Sequence, residues 1–292
     1  MKTTRILRVF KLFALVAALT FVVTVPPARA ADDGAKLAEA FLQKTPIPSY
    51  DPNLTLDQAM KIQAQFVETL KPAFGKIVGY KAGLTNPNVQ KAFGVSAPVR
   101  GTLLEKMLMK SGVEIPADFG ARPLYEGDLI LRVGSDRINR AKTPMDALKC
   151  IDAAIPFIEL PDLGYAKEVK INGPAITAIN VAARYGVVGE PIPVRASKAW
   201  MDRLKNFKCQ IFDEKGIMLI EGPGSALLDH PLNVVLWIRD SLKAEGKKLK
   251  KGDLLSLGTI TKLTPTAPNT TIRARYIDLD PKGPVEISVK FK

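Results

Sequence analysis

The feature that most constrains this chain is a predicted β-strand with two acids on one face, over residues 122–133, RPLYEGDLILRV. The segment is rich in β-forming residues, starts near Pro123 and ends before Gly134. Because side chains alternate along a strand, Glu126 and Asp128 share one face. Two neighbouring carboxylates repel each other, so one tends to keep its proton unless a cation lies nearby.

A third acid, Glu159, lies in another strand-like run, residues 154–162, AIPFIELPD. Three hard oxygen ligands suit Mg²⁺ or Mn²⁺ better than Zn²⁺. The chain has one histidine, His230, which argues against a His-rich metal site and a Ser-His-Asp triad. The alternative is a solvated strand face that carries acids and binds no metal.

The N-terminus has the pattern of a secretory leader. A basic start precedes an apolar run over residues 12–25, and Ala28-Arg29-Ala30 is a small-x-small cleavage site. The pattern predicts a signal peptide over residues 1–30, cleavage after Ala30, a periplasmic or secreted mature chain and no stable membrane insertion. An uncleaved anchor is the alternative, although the apolar run is short for a membrane span.

The formal net charge is +13, and residues 247–251 form the basic run KKLKK. Basic patches bind nucleic acid or anionic lipid, but this run has no interleaved aromatic residue and no nucleic-acid motif. We therefore expect a solvated loop and no nucleic-acid partner, and a positive field also suits a small acidic substrate. Cys150 and Cys209 are the two cysteines, and the sequence leaves open whether they pair.

The hydrophobic pattern predicts an α+β architecture, with early helices and a rolled or barrel-like sheet formed mostly by later strands. A capping box at Thr55 to Gln58 starts one helix, and Pro231 starts another as its first residue. The predicted helices cover 35–43, 55–75, 87–93, 145–157, 176–184 and 231–246, and the predicted strands cover 76–85, 122–133, 253–263, 271–278 and 284–291, with a hairpin over 206–221.

Lys81 lies in the strand-like segment KIVGYKAGLT, between apolar residues and glycines. Burial lowers the pKa of a lysine and makes it a usable acid or base. The alternative is a surface lysine that extends its ammonium group into water.

Seven segments occur in the order and spacing of a known family: GYKAGLT at 79–85, FGVSAPVRGTL at 93–103, YEGDLILRV at 125–133, IELPD at 158–162, Lys170 followed by Asn180, DHPLNVVLWI at 229–238 and KGDLLSLGTIT at 251–261. From about residue 55 to its end, the chain resembles the 2-keto-4-pentenoate hydratases of the fumarylacetoacetate hydrolase superfamily. The resemblance implies a mixed β-sheet roll or barrel, with a helical N-terminal region over 31–75, a catalytic domain over 76–292 and a homo-oligomer.

The resemblance also implies a set of site residues. The metal ligands are Glu126, Asp128 and Glu159, the catalytic residues are Lys81 and Lys170, and the substrate-binding residues are Asp162, Asn180, Ser256 and Thr259.

Two positions depart from the family pattern. Asp128 is one methylene shorter than the usual glutamate, and Val99 replaces an acid in the turn PVRG. The next residue, Arg100, could grip a substrate carboxylate in a bidentate way, or it could be an exposed turn residue. For His230 we expect a structural role as a helix cap.

These features predict a divalent-metal-dependent hydratase, a lyase, acting on 2-oxo-4-enoate acids such as 2-hydroxypenta-2,4-dienoate. The metal, Mg²⁺ or Mn²⁺, would act as a Lewis acid while Lys81 moves the proton. The alternatives are another reaction of the superfamily on a 2-oxo acid, namely decarboxylation, tautomerisation or C–C hydrolysis, and a non-catalytic exported binder of acidic ligands.

Overall fold

The structure is a computed structural model that describes residues 28–292. Nearly all of the predicted leader, residues 1–27, lies outside the described residues. In the part of the chain that is described, none of the helices has the length and apolar character needed to span a bilayer.

The described chain alternates short helices with strands. The helices are α1 (Ala28–Gln43), α2 (Leu56–Phe74), α3 (Pro87–Ala92), α4 (Pro144–Leu148), α5 (Gly173–Ala178), α6 (Lys198–Asn206) and α7 (Pro231–Ala244). The strands are β1 (Ile77–Gly83), β2 (Val99–Leu104), β3 (Leu108–Lys110), β4 (Val113–Ile115), β5 (Leu124–Val133), β6 (Ile151–Leu160), β7 (Tyr185–Val188), β8 (Ile192–Pro193), β9 (Lys208–Phe212), β10 (Met218–Pro223), β11 (Leu254–Ser256), β12 (Thr264–Pro265), β13 (Thr270–Asp280) and β14 (Gly283–Phe291).

The strands of residues 28–292 form two mixed sheets. The larger sheet has the order β2-β1-β11-β5-β6-β7-β3, with β12 added on β5 and β8 on β6. The smaller sheet has the order β10-β9-β13-β14-β4. The α+β prediction is confirmed, and the acidic strand β5 lies in the middle of the larger sheet.

One face of the larger sheet carries the main hydrophobic core. Leu129 and Leu131 of β5 and Leu255 of β11 are fully buried there, in the same cluster as Val235 and Ile238 of α7. Since side chains alternate along each strand, the acids of β5 must lie on the opposite face. The core therefore determines where the acids point.

Several local predictions are confirmed by the structure. The Thr55 hydroxyl accepts from the Gln58 amide at 3.2 Å, and the Gln58 side chain accepts from the Thr55 amide at 2.9 Å, which completes the capping box. His230 caps α7, because its Nδ1 accepts from the Leu232 amide at 3.1 Å. The hairpin over 206–221 is formed by β9 and β10. For Cys150 and Cys209, whose pairing the sequence left open, the structure shows two buried, free thiols.

Three element predictions are wrong. The helix predicted over 145–157 is limited to α4, because pairing with β5 and β7 overrides the helical spacing of the apolar residues. The chain then forms β6, which agrees with the strand-like run predicted over 154–162. The helix predicted over 176–184 ends with α5 at Ala178. The strand predicted over 253–263 is limited to β11, since Gly258 adopts a φ of 103° that breaks the extended chain.

We expect Thr55→Ala to lower the free energy of unfolding by about 1 kcal/mol, because the Gln58 amide in the first turn of α2 loses its capping partner. Urea denaturation measures this change. Thr69→Ala is the matched control within α2, since the Thr69 hydroxyl bonds only to the Gln65 carbonyl of its own helix. The control should change stability by less than about 0.5 kcal/mol. Equal losses in the two variants would contradict the capping role.

Candidate active site

The strand register brings five polar side chains to one face of four neighbouring strands. Glu126 of β5 pairs directly with Glu159 of β6. Ser256 of β11 pairs with Ile130 of β5 and with Lys81 of β1. Because paired residues of adjacent strands share a face, this set comprises Lys81, Glu126, Asp128, Glu159 and Ser256. We call it the acidic face.

The acidic face is shielded from solvent. The relative exposure is 4% for Lys81, 4% for Glu126, 0% for Asp128 and 2% for Glu159. Charged groups are almost never this buried unless they are paired. The interpretation of Lys81 as a surface lysine is therefore wrong, and so is the interpretation of the acids as a solvated strand face.

Lys81 supplies an internal counter-charge. Its ammonium donates to Glu159 Oε1 and, at 2.9 Å, to the carbonyl of Val181. One positive charge therefore faces the three carboxylates of the acidic face. The remaining negative charge has no cationic side chain against it among the described ion pairs.

The three acids differ in their hydrogen bonds. Asp128 Oδ1 accepts from the amides of Leu129 at 2.6 Å and Leu257 at 3.2 Å, and its Oδ2 accepts from the Ser256 hydroxyl. By contrast, Glu126 Oε2 and Glu159 Oε2 are buried without a hydrogen-bond partner in the described structure. A buried oxygen without a hydrogen-bond partner is costly, and these two oxygens are available to a cation.

Burial raises the pKa of Glu126 well above its ordinary value, and the charge of Glu159 raises it further. Burial likewise raises the pKa of Asp128, and Glu159 again adds to the rise. Lys81 and the hydroxyls of Thr259 and Ser256 oppose these shifts only in part. The face is thus electrostatically unfavourable without an additional cation.

These residues fit a divalent cation, on the evidence of the two orphaned oxygens and the hard oxygen donors. Within residues 28–292, however, no three or more His, Cys, Asp or Glu side chains come close enough together to hold a metal ion. Lys81 pairs with Glu159 through Oε1 and leaves Oε2 of Glu159 without a partner, whereas both oxygens of Asp128 accept from Ser256 or backbone amides. Glu126 and Glu159 are therefore the better ligands, and the direct role of Asp128 stays a prediction.

Among the predicted substrate-binding residues, Ser256 and Thr259 lie beside the acids. Asp162 and Asn180 are buried but occupied. Asp162 pairs with Arg184 at 3.1 Å and accepts from two backbone amides of the 121–122 segment. The Asn180 side chain bonds both the amide and the carbonyl of Thr102 at the edge of β2. Their contacts hold loops and strand edges together.

The structure does not bring Arg100 or Lys170 to the acids. Arg100 pairs with Ala82, the neighbour of Lys81, and therefore points to the opposite face of the sheet. There it forms an ion pair with Glu245, so it is neither a free substrate clamp nor an exposed turn residue. Lys170 is exposed, and only its carbonyl makes a described contact, with the Tyr50 hydroxyl.

A buried left-handed turn at Asn180-Val181-Ala182, with φ angles of 59°, 54° and 59°, was not predicted from the sequence. A β-branched residue rarely adopts this conformation, because its Cβ approaches the backbone too closely. The turn presents the Val181 carbonyl to Lys81. The sequence features that could have indicated this turn are two glycines that make room for it. A Cβ at Gly83 would come within 2.4 Å of Val181, and a Cβ at Gly101 would come within 2.7 Å of the Asn180 carbonyl oxygen.

No family model matches this chain. Among curated proteins, it is 28% identical to a TodF product hydratase from Pseudomonas putida over 225 residues, which cover 77% of this chain and 81% of that protein. It is 26% identical to a 2-keto-4-pentenoate hydratase from Paraburkholderia xenovorans over 224 residues, covering 76% and 81%. Among solved structures, a 4-oxalocrotonate decarboxylase from Pseudomonas putida G7, complexed with magnesium and adipate, has a TM-score of 0.81 at 22% identity and covers 92% of this chain and 99% of its own.

The two-sheet architecture has the fumarylacetoacetate hydrolase-like fold that the sequence predicted. The resemblance to the 2-keto-4-pentenoate hydratases is confirmed, since several curated relatives carry that name or the names of related hydratases, while another is a 4-oxalocrotonate decarboxylase.

The raised pKa values predict a dependence of stability on pH. Above the ordinary pKa of a glutamate, the folded protein binds more protons than the unfolded chain, so the free energy of unfolding should fall as the pH rises. We expect Glu126→Gln to weaken this decline between pH 5 and pH 8 in metal-free protein, measured by urea denaturation. Glu68→Gln is the control, because Glu68 is exposed, and it should decline as the wild type does. A wild type that gains stability relative to Glu126→Gln as the pH rises would contradict the shift.

Proposed function

We propose that this protein is a divalent-metal-dependent hydratase that adds water to 2-oxo-4-enoate acids such as 2-hydroxypenta-2,4-dienoate. The observation that carries the proposal is the burial of Lys81 against Glu159, beside two carboxylate oxygens without partners. The names of the curated relatives support the same reaction class. The magnesium bound to the decarboxylase neighbour supports a hard cation.

Glu126 and Glu159 would hold the cation. Asp128 would either bind the cation directly or contact it through Ser256. When bound, the cation supplies Lewis-acid polarisation of the substrate's 2-oxo group. The residues around the site are buried, and the exclusion of water strengthens every electrostatic interaction there.

Lys81 is the proton carrier of this proposal. Its ammonium is fixed by two acceptors, the Glu159 carboxylate and the Val181 carbonyl. A proton delivered from this position would reach a substrate that lies against the acidic face. Val99, at the position of the family's turn acid, is buried and apolar, so Glu159 is the acid in contact with Lys81.

The function is tested by turnover of 2-hydroxypenta-2,4-dienoate in the presence of Mg²⁺, measured as the decrease in the absorbance of this substrate. We expect Glu126→Gln to lower kcat/KM by at least about a hundredfold, because the isosteric amide removes a charge needed in the transition state. Exposed Glu68→Gln is the control and should keep the wild-type rate. Wild-type activity in Glu126→Gln would refute the metal role, and a wild type that does not hydrate any 2-oxo-4-enoate would refute the function.

We also propose that the protein is exported and cleaved after Ala30, as the leader pattern predicts. As the family resemblance implies, it would form a homo-oligomer. Cleavage after Ala30 would remove only the first three residues of α1. The face of α1 that packs against α2 would remain, since Ala38 and Phe41 are buried and the Phe41 ring centroid lies 5.4 Å from that of Phe66 in α2.

Export is tested by expressing the full chain in a Gram-negative host and sequencing the N-terminus of the protein released by osmotic shock. We expect the sequence to begin at Ala31. A variant lacking residues 2–30 is the control and should stay in the spheroplast fraction. Protein in the membrane fraction with Met1 intact would instead support the uncleaved anchor.

A further inference from the structure

Tyr276 brings a hydroxyl group from the smaller sheet to the backbone behind the acidic face. The residue lies in β13 and is fully buried. Its hydroxyl lies 2.7 Å from the Asp128 carbonyl and 2.6 Å from the Phe157 carbonyl, and it accepts from the Phe157 amide at 3.0 Å. A hydroxyl has one proton, so it donates to one of the two carbonyls at a time.

The contact falls between the two strands that carry all three acids. Asp128 of β5 and Phe157 of β6 are directly paired, and the next pair of the same kind along the ladder is Glu126 with Glu159. The Tyr276 hydroxyl therefore ties β5 to β6 two residue pairs away from the two orphaned carboxylate oxygens.

The smaller sheet approaches β5 closely at this point. Cys209 pairs with Tyr276 across β9 and β13. A Cβ at Gly127 would lie 2.5 Å from the Cys209 sulfur, so only glycine fits between Glu126 and Asp128. The Tyr276 ring is held in turn by stacking on Phe207, with centroids 6.2 Å apart. The hydroxyl is thus fixed on a rigid support.

We propose that Tyr276 is a positioning residue for the metal ligands: its hydroxyl fixes the backbone of β5 and β6 so that Glu126 and Glu159 face a single cation. This inference rests on the metal role in the proposed function. Groups that orient metal ligands contribute to metal affinity without touching the metal, typically by ten- to a hundredfold.

The test compares Tyr276→Phe with the wild type by calorimetric titration of Mg²⁺ and of Mn²⁺. Phenylalanine keeps the ring and removes only the hydroxyl. We expect the Kd for both ions to rise about tenfold. Tyr165→Phe is the matched control: Tyr165 is also fully buried, but its hydroxyl bonds to Ala175, in a different cluster, and the control should keep the wild-type Kd within twofold.

The variant Phe207→Leu distinguishes a general loss of protein stability from a loss of metal-ligand positioning by the Tyr276 hydroxyl. This variant removes the ring that supports Tyr276 but keeps the hydroxyl, so we expect a lower melting temperature with a Kd within about threefold of wild type. A Kd in Tyr276→Phe equal to that of the wild type overturns the inference, and so does an equal rise in Tyr276→Phe and Phe207→Leu.

Amide hydrogen exchange in the wild type tests the contact even if Tyr276→Phe does not fold. We expect the Phe157 amide to exchange at least about a hundredfold more slowly than the amides of the exposed β10 edge, before any metal is added. Exchange of Phe157 as fast as that edge overturns the inference. A wild type that binds Mg²⁺ but does not hydrate a 2-oxo-4-enoate contradicts the proposed function alone, whereas one that binds neither ion contradicts both.

Discussion

The structure depends on placing three carboxylates and one ammonium group in a nearly water-free layer of a β-sheet. The desolvation of such charges is costly, and it is tolerated only where partners are fixed in place. Lys81 provides one partner for Glu159, and Ser256 with two backbone amides satisfies Asp128. The leucines of the opposite sheet face contribute the hydrophobic burial that holds this arrangement together.

Features determined by near neighbours in the chain could be predicted from the sequence. The alternation of β5 placed Glu126 and Asp128 on one face, and Thr55 identified the start of α2. Features determined by strand pairing could be predicted only in part. The strand-like run over 154–162 falls largely within β6, but the helical spacing over 145–157 indicated a helix that the pairing of β6 with β5 and β7 overrides.

The site could be predicted only in part for the same reason. Lys81 and Arg100 are close in the sequence and both look suited to an acidic substrate. The β1–β2 register nevertheless sends them to opposite faces, and Arg100 binds Glu245 of the segment that ends α7. The direction of a side chain in a sheet follows from its register, and a one-residue shift would reverse it. The family resemblance identified the candidate site residues in the sequence, but it did not reveal which groups they contact.

The left-handed turn beside Lys81 has a consequence for how such a chain could change over time. The turn lies in the space left by the missing side chains of Gly83 and Gly101, and its carbonyl holds the lysine. A methyl group at either glycine would push the turn away from the ammonium group. Gly83, Gly101 and Lys81 therefore constrain one another, so that a substitution at one of them requires a compensating substitution at another.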